Sequence, residues 1–219
     1  MHNDKKIIIE FVCTGNNARS PMAEVIGNNY ATDIGLENLL SFISSGTRVD
    51  TEYESFFSYE RATLILNKAS SHGLLKEIHV DKDRYENDNN YNSAIKNDII
   101  MALRIMRPIE VALRDAALYN INMKYDGAQT QTIARDDVSI ILGMEKEHVR
   151  QVEKIYSAKG MATNNMPQIT TIADYTGIDG EISDCIGNTN PTAYFKMRDS
   201  LQEIIPKVID RIKKEALIL

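Results

Sequence analysis

Cys13 and Arg19 are separated by five residues near the start of the chain, and their types and spacing suit attack on a phosphate group. A phosphate ester resists nucleophiles because its oxygens carry negative charge and repel them. Its cleavage therefore needs a nucleophile that is ionised at neutral pH and a site that neutralises those oxygens. A cysteine thiolate can be the nucleophile, and the planar guanidinium of an arginine can hold two phosphate oxygens at once. The pair predicts a cysteine-dependent phosphoryl-transfer site.

The residues between this pair have the composition of an anion-binding loop. Gly15 gives the backbone freedom at a tight bend, and Asn16 and Asn17 tolerate left-handed geometry better than most residues. Inward-pointing amides of such a loop, reinforced by the dipole of a following helix, bind an anion and lower the pKa of a thiol. The predicted phosphate-binding residues are Thr14, Gly15, Asn16, Asn17, Ala18, Arg19 and Ser20, with Cys13 and Arg19 also catalytic.

The flanking sequence predicts a strand before this loop and a helix after it. Residues 6–12 form a near-continuous apolar run, which is typical of a buried strand. Pro21 suits the first position of a helix with Ser20 as its N-cap, and this helix is expected to end near Tyr30. The loop is therefore expected between the carboxyl end of a strand and the N-terminus of a helix.

Strands and helices alternate along much of the remaining chain. Further strands are predicted at residues 40–44, 137–143 and 168–173. Helices are predicted at residues 60–71, with Gly73 just past the end, at residues 145–156, and at residues 192–216, kinked or broken at Pro206. This alternation predicts an α/β fold with a four-stranded parallel sheet and helices on both faces.

Residues 82–131 interrupt the alternation and suggest an insertion into a single domain that spans residues 1–219. Residues 83–92 are rich in Asn and Asp and predict a mobile loop. Two helices should follow, with Pro108 between them, and the first carries an apolar stripe. The stripe consists of Ile95, Ile99, Leu103 and Met106. It must be buried on its own domain, beside the active site or in a homodimer contact, or else the insertion is a peripheral decoration.

Composition limits the function classes. The 219-residue chain has a net charge of −6 and no Lys/Arg-rich run, which argues against a nucleic-acid partner. Its apolar runs are too short for a signal peptide or a membrane span, so we expect a cytoplasmic protein without a membrane partner. The spacing of the histidines predicts no metal site, and we predict no cofactor. His148 is expected to lie on a surface helix without a catalytic role.

Three segments resemble the low-molecular-weight protein tyrosine phosphatases. Residues 11–24 are similar to the signature Phe-Val-Cys-x-Gly-Asn-x-x-Arg-Ser-Pro-Met-Ala-Glu. Residues 44–47 are similar to the Ser-Ala-Gly-Thr of that family, and residues 137–148 to its Asp-Leu-Ile-Leu-x-Met-x-x-x-His segment. The resemblance covers most of the chain but not residues 82–131. It implies that Asn16, Ser20 and Ser44 hydrogen-bond one another and keep the loop in shape.

The resemblance also implies a general acid from an Asp-Pro motif shortly before the last helix. A departing phenolate has a conjugate-acid pKa of about 10, so protonating it speeds departure by roughly 10²–10⁴. Asp184 occupies the expected place, although Cys185 replaces the proline and Ile186 replaces an aromatic residue common in tyrosine-specific members. Asp174 and Asp179 are the rival acids. Cys185 is either a small buried hydrophobe or a thiol that captures oxidised Cys13.

These features predict a metal-independent phosphomonoesterase, a protein-tyrosine phosphatase that forms a cysteinyl-phosphate. Its partners would be a phosphorylated protein or small aryl phosphate, and inorganic phosphate or a similar oxyanion. An arsenate reductase is one alternative, although that chemistry usually relays oxidation to further cysteines and only Cys185 is present. A non-catalytic phosphate- or phosphopeptide-binding module is the other, although pure binding does not need the nucleophile Cys13.

Overall fold

The computed structural model describes residues 6–49, 58–161, 166–185 and 187–216. Its strands form a four-stranded parallel sheet in the order β2-β1-β3-β4, which confirms the predicted fold class. The strands are β1 (Ile7–Cys13), β2 (Leu40–Gly46), β3 (Ile140–Gly143) and β4 (Gln168–Thr171). The helices are α1 (Arg19–Asp33), α2 (Tyr59–Ser71), α3 (Lys82–Asn87), α4 (Asn89–Tyr119), α5 (Lys146–Ala158), α6 (Ile172–Thr176) and α7 (Pro191–Ala216).

The register of the sheet brings three strand ends to one edge. Cys13 at the end of β1 pairs with Gly46 at the end of β2, and Val12 pairs with Gly143 at the end of β3. Ligands in open α/β sheets bind outside the carboxyl ends of the strands, because the loops there converge. The loop that follows Cys13 therefore lies where the chains after β2 and β3 can reach it.

Helices cover both faces of the sheet because neighbouring side chains of a strand point to opposite sides. On one face, Ile9 and Phe11 of β1 pack in a core with residues of α1 and α7, including Met22 and Leu201. On the other face, Val12 packs in a core with Tyr156 and other residues of α5. The near-continuous apolar sequence of β1 is thus buried on both sides, as predicted.

Helices α2, α3 and α4 build a separate apolar core. The stripe of α4, Ile95, Ile99, Leu103 and Met106, is fully buried there. It packs against residues of α2, including Ile65 and Leu66, and the two helices lie in direct contact. The stripe is therefore covered within the chain itself.

The prediction of two helices on a mobile stem is wrong. Residues 83–92 lie in α3 and α4, apart from Asp88 between them, because two aspartates cap the helices: Asp81 accepts from the Arg84 amide at 2.9 Å, and Asp88 accepts from the Tyr91 amide at 3.0 Å. Helix α4 then runs through Pro108 for 31 residues. Its buried face continues on both sides of the proline, and this packing offsets the hydrogen bond that a proline removes.

Among the remaining boundaries, the strand predicted at residues 137–143 begins only at Ile140, and α1 ends at Asp33 instead of near Tyr30. The expected strand at residues 168–173 ends at Thr171, whose hydroxyl accepts from the Asp174 amide at 2.9 Å and caps the short helix α6. Helix α7 is continuous through Pro206, so the predicted break is absent from this described helix. None of the helices in the described ranges is long and apolar enough to cross a membrane.

Candidate active site

The loop between β1 and α1 lines a small cavity of about 40 Å³, room for a few water-sized groups. Its backbone passes close to the end of β2. A Cβ atom on Gly46 would lie 2.7 Å from the Thr14 carbonyl oxygen and 2.8 Å from the Asn16 amide nitrogen. Only a glycine permits this approach. The cavity is lined by Cys13, Thr14, Gly15, Asn17, Ala18, Arg19, Glu110, Asp184, Cys185 and Tyr194.

Ser20 and Asn16 shape the loop from inside. Asn16 has a φ of 51°, the left-handed geometry that asparagine tolerates. The Ser20 hydroxyl lies 3.0 Å from Cys13 Sγ and 2.9 Å from Asn16 Oδ1, so it can donate to either. The prediction of Ser20 as an N-cap is wrong, because α1 begins at Arg19 and the hydroxyl is engaged by the loop.

Ser44 does not join the predicted hydrogen bonds with Asn16 and Ser20. Its hydroxyl donates instead to Glu24 Oε2 at 2.6 Å. The neighbouring residue takes the expected place, because the Ser20 hydroxyl lies 3.1 Å from the Ser45 carbonyl oxygen. Ser45 makes this contact through its backbone, since its own hydroxyl donates to Glu10.

Arg19 is buried at the cavity wall, with a side chain only 4% exposed. Its guanidinium forms an ion pair with Glu145, the residue before α5, and lies 3.4 Å from Asp184 Oδ1. Burial lowers the pKa of Arg19, but the negative charges of Asp184 and Cys13 raise it overall. The guanidinium is therefore a fixed cation, held by the loop that follows β3 and by the loop between α6 and α7.

Of the three candidate acids, Asp184 lies at this cavity. The side chain of Asp174 accepts a hydrogen bond from Thr171 at 2.7 Å at the start of α6. Asp179 lines a neighbouring groove along α7. Ile186, which stands in the place of a family aromatic residue, lies outside the described residues.

Helix α4 supplies two side chains that sequence reasoning missed. Glu110 accepts from the Asn17 side-chain amide at 3.2 Å, and Arg114 donates to the Asn17 carbonyl oxygen at 2.9 Å. Burial raises the pKa of Glu110 to about 7, and hydrogen bonds from Gly187 and Asn17 act against this rise. A signal was available, because Glu110 and Arg114 continue the spacing of four residues after Met106.

The segment after α4 also holds the loop, and this too was missed. The Gln129 side chain donates to the Gly15 carbonyl oxygen at 2.9 Å and to Asn17 Oδ1. The amide of Gly46 in turn donates to the Thr130 carbonyl oxygen at 2.8 Å. No sequence pattern pointed to Gln129, since it lies in an irregular stretch more than a hundred residues from the loop.

The prediction that His148 is a bland surface residue is wrong. It is 2% exposed, and its Nδ1 accepts from the Glu145 amide at 3.1 Å. Its Nε2 lies 3.0 Å from Thr14 Oγ1, and with Nδ1 as acceptor the neutral ring donates there. His148 therefore supports the phosphate loop from the first turn of α5, a place fixed by the carboxyl end of β3.

Cys13 and Cys185 are both free thiols on the wall of the same cavity. Burial, with a smaller contribution from the charge of Asp184, raises the pKa of Cys185 to about 11. The Cys185 thiol is therefore protonated at neutral pH. Within the described ranges, His, Cys, Asp and Glu side chains form no group of three or more that could hold a metal ion.

Residues 8–83, about a third of the chain, match the family model for low molecular weight phosphotyrosine protein phosphatases. This segment contains the entire loop from Cys13 to Arg19. No curated protein matches the chain significantly.

Solved structures extend the likeness over the chain. The YwlE arginine phosphatase from Geobacillus stearothermophilus is 18% identical, with 96% of each chain covered and a TM-score of 0.56. The low molecular weight protein tyrosine phosphatase from T. tengcongensis is 17% identical, covering 94% of this chain and 99% of its own, with a TM-score of 0.53. A protein tyrosine phosphatase from Entamoeba histolytica is 16% identical, covering 98% and 100%, with a TM-score of 0.56. At these identities the structures establish the fold.

The fold is that of the low molecular weight protein tyrosine phosphatases, and the segment that contains the phosphate loop matches the model of that family. The resemblance predicted from the sequence is thereby confirmed. The matched segment indicates a phosphoric monoester hydrolase whose phosphate loop carries its cysteine at position 13.

Proposed function

We propose that the enzyme works through a cysteinyl-phosphate intermediate without a metal ion. The Cys13 thiolate attacks phosphorus, an S–P bond forms, and the bond to the leaving oxygen breaks while Asp184 gives that oxygen a proton. Asp184 then takes a proton from water, the water oxygen attacks phosphorus, and the S–P bond breaks to release phosphate and the thiolate. The observation that carries this proposal is that Cys13, Arg19 and Asp184 line one cavity.

Three features support these roles. The Ser20 hydroxyl within 3.0 Å of Cys13 Sγ can donate to the thiolate and stabilise it as attacking and leaving group. The buried Arg19 cation can neutralise two phosphate oxygens in the bidentate geometry of a guanidinium. The backbone amides of residues 14–19 can bind the remaining oxygen charge at the N-terminus of α1.

We propose phosphotyrosine in a protein, or a small aryl phosphate, as the substrate. The family model that matches residues 8–83 supports a phosphotyrosine substrate. The two cysteines are free, which is typical of a reducing compartment, and this supports a cytoplasmic enzyme. The caps on α3 and the continuity of α4 support residues 82–131 as a folded insertion within one phosphatase domain.

A phosphoarginine side chain is the second candidate substrate. Two carboxyl groups, Glu110 and Asp184, line the cavity, and acidic walls favour a cationic guanidinium over a neutral phenol. One similar structure is an arginine phosphatase. Peptides with phosphoarginine or phosphotyrosine in the same sequence context, compared by kcat/KM, distinguish the two: a ratio well above one for phosphoarginine would replace the first candidate.

Arsenate reduction is disfavoured by the state of the second thiol. Relay of an oxidised Cys13 would need a nucleophilic partner, and the thiol of Cys185, with its pKa raised to about 11, reacts slowly at neutral pH. A pure binding module would need neither the nucleophile nor the acid.

Hydrolysis of p-nitrophenyl phosphate in the presence of a chelator tests the proposed function. The wild type should turn over, whereas Cys13→Ser should lose turnover, by at least about 10³, yet keep vanadate binding. Arg19→Lys should also be strongly impaired, because an ammonium cannot reproduce the bidentate contact. Retained activity in Cys13→Ser, or a strict need for a divalent metal, would contradict the mechanism.

A further inference from the structure

Glu110 connects two loops that would have to act together in the reaction. Its Oε2 accepts from the side-chain amide of Asn17 in the phosphate loop at 3.2 Å. Its Oε1 accepts from the backbone amide of Gly187, three residues after Asp184, at 3.0 Å. Each carboxylate oxygen therefore holds one of the two loops, and the side chain is only 6% exposed.

Helix α4 fixes Glu110 in this place. Met106, one turn earlier, is buried in the core formed with α2, and a Cβ atom on Gly187 would lie 2.6 Å from its sulfur. Gly187 also has a φ of 70°, which an L side chain rarely adopts. One turn later, Arg114 donates to the Asn17 carbonyl oxygen at 2.9 Å. Over two turns, the helix therefore contacts both the phosphate loop and the loop that carries Asp184.

The charged and titratable groups around Glu110 come from each element packed against it. They are Arg19 of α1, Asp184 and Cys185 of the loop before α7, Tyr194 of α7 and Arg107 of α4 itself. The oxygens of Glu110 accept hydrogen bonds from Asn17 and Gly187, which belong to the two loops. These two contacts place Glu110 as a link between the two loops.

We propose that Glu110 is a positioning residue of the phosphatase reaction: it ties the phosphate loop to the loop that carries Asp184, so that acid and nucleophile keep their relative placement. This inference rests on the proposed function. A misplacement of about 1 Å can cost on the order of 10² in rate, which gives such a tie a large kinetic effect. Glu110 belongs to the helical insertion and lies far from the phosphate loop in sequence.

Kinetics of Glu110→Gln test the proposal. The amide keeps the shape but offers only one acceptor oxygen, so one loop is released. We expect kcat to fall about 10- to 100-fold for phosphotyrosine and less for p-nitrophenyl phosphate, the leaving-group pattern of a displaced acid. Glu153→Gln on the exposed face of α5 is the matched control and should leave both rates unchanged. Equal losses on both substrates, or no loss, would overturn the inference.

A double-mutant cycle with Asn17→Ala makes the test independent of turnover. Amide hydrogen exchange at Gly187 should speed up in Asn17→Ala, because the Asn17 side chain and the Gly187 amide both donate to Glu110. This effect should vanish in the Glu110→Gln background. An exchange rate at Gly187 that is the same in Asn17→Ala and in the wild type would contradict the proposed link between the two loops. If wild-type turnover did not depend on Cys13, the proposed mechanism would be wrong. The exchange measurement would still show whether Glu110 links the two loops.

Discussion

The phosphate loop and helix α4 reach the same cavity by different routes. The loop is local: eight consecutive residues, from Cys13 at the end of β1 to Ser20 in the first turn of α1, contain the nucleophile, the cation and the hydroxyl that shapes them. Helix α4 is remote, and Glu110 contacts Asn17 across 93 positions of the chain. The local region carries the chemical groups, whereas the remote region holds them in place. A site can therefore keep the groups of its class while another part of the chain determines their geometry.

The largest expected effect tests Asp184 in the loop between α6 and α7, which both regions contact. Asp184→Asn should lower kcat for phosphotyrosine by about 10²–10⁴, because an amide cannot protonate the departing phenolate. The loss should be much smaller for p-nitrophenyl phosphate, whose leaving group needs less protonation. Asp174→Asn and Asp179→Asn are matched controls with exposed carboxyl groups. Equal losses on the two substrates would mean that Asp184 acts only as a partner of Arg19.

The next prediction concerns the core that supports α4. Ile99 is fully buried between α2 and α4, whereas Ile105 on the same helix is 36% exposed. Ile99→Ala should lower the free energy of unfolding by about 2–5 kcal/mol, because it leaves a cavity. Ile105→Ala should cost less than about 1 kcal/mol. Both values come from denaturant titration. Similar costs for the two substitutions would contradict the assignment of the buried face.

A pH-dependent prediction separates the charge of Glu110 from its geometry. Its pKa in the folded protein is about 7, above the value of about 4.3 for a glutamate in an unfolded chain. The stability that this raised pKa contributes is therefore fully present below about pH 4 and is lost as the pH rises through 7. By pH 8 the loss approaches roughly 4 kcal/mol, from about 2.7 pKa units at 1.36 kcal/mol each.

Glu110→Gln removes this titration. The free energy of unfolding of the variant, minus that of the wild type, should therefore increase by up to about 3 kcal/mol between pH 4.5 and pH 8, because only the wild type loses stability over this range. Denaturant titrations at several pH values measure the difference. Glu153→Gln, which replaces an exposed carboxyl group, should show no such trend. A flat difference for Glu110→Gln would indicate that Glu110 stays ionised in the folded protein throughout this range.

The sequence alone predicts the sheet and the loop because both depend on neighbouring residues. The apolar run of β1 and the loop from Cys13 to Ser20 are patterns within about fifteen residues, and a family resemblance covers them. Residues 83–92 were predicted to be a loop because their composition is polar. The caps Asp81 and Asp88 outweighed that composition.

The supporting side chains were not predictable in the same way. His148 reaches Thr14, and Gln129 reaches Gly15, only because the carboxyl ends of parallel strands meet at one edge of the sheet. Such contacts depend on the tertiary arrangement and leave no periodic signal. Glu110 left a partial signal, a charged residue in register with an apolar stripe, which indicates a buried polar contact without naming its partner.

The smallest expected effect concerns Cys185, which the sequence left as either a redox partner of Cys13 or a small buried hydrophobe. Both thiols line the same cavity, so proximity alone would favour capture of an oxidised Cys13. Capture, however, requires a thiolate that attacks the sulfenic acid, and burial holds the pKa of Cys185 near 11. At pH 7.5 its thiolate fraction is then on the order of 10⁻³ to 10⁻⁴, and further oxidation by excess peroxide should compete successfully. After peroxide treatment and addition of a thiol reductant, wild type and Cys185→Ala should therefore recover the same fraction of activity. Recovery in the wild type alone would show that the loop between α6 and α7 moves to expose Cys185, and that Cys185 protects Cys13 from further oxidation.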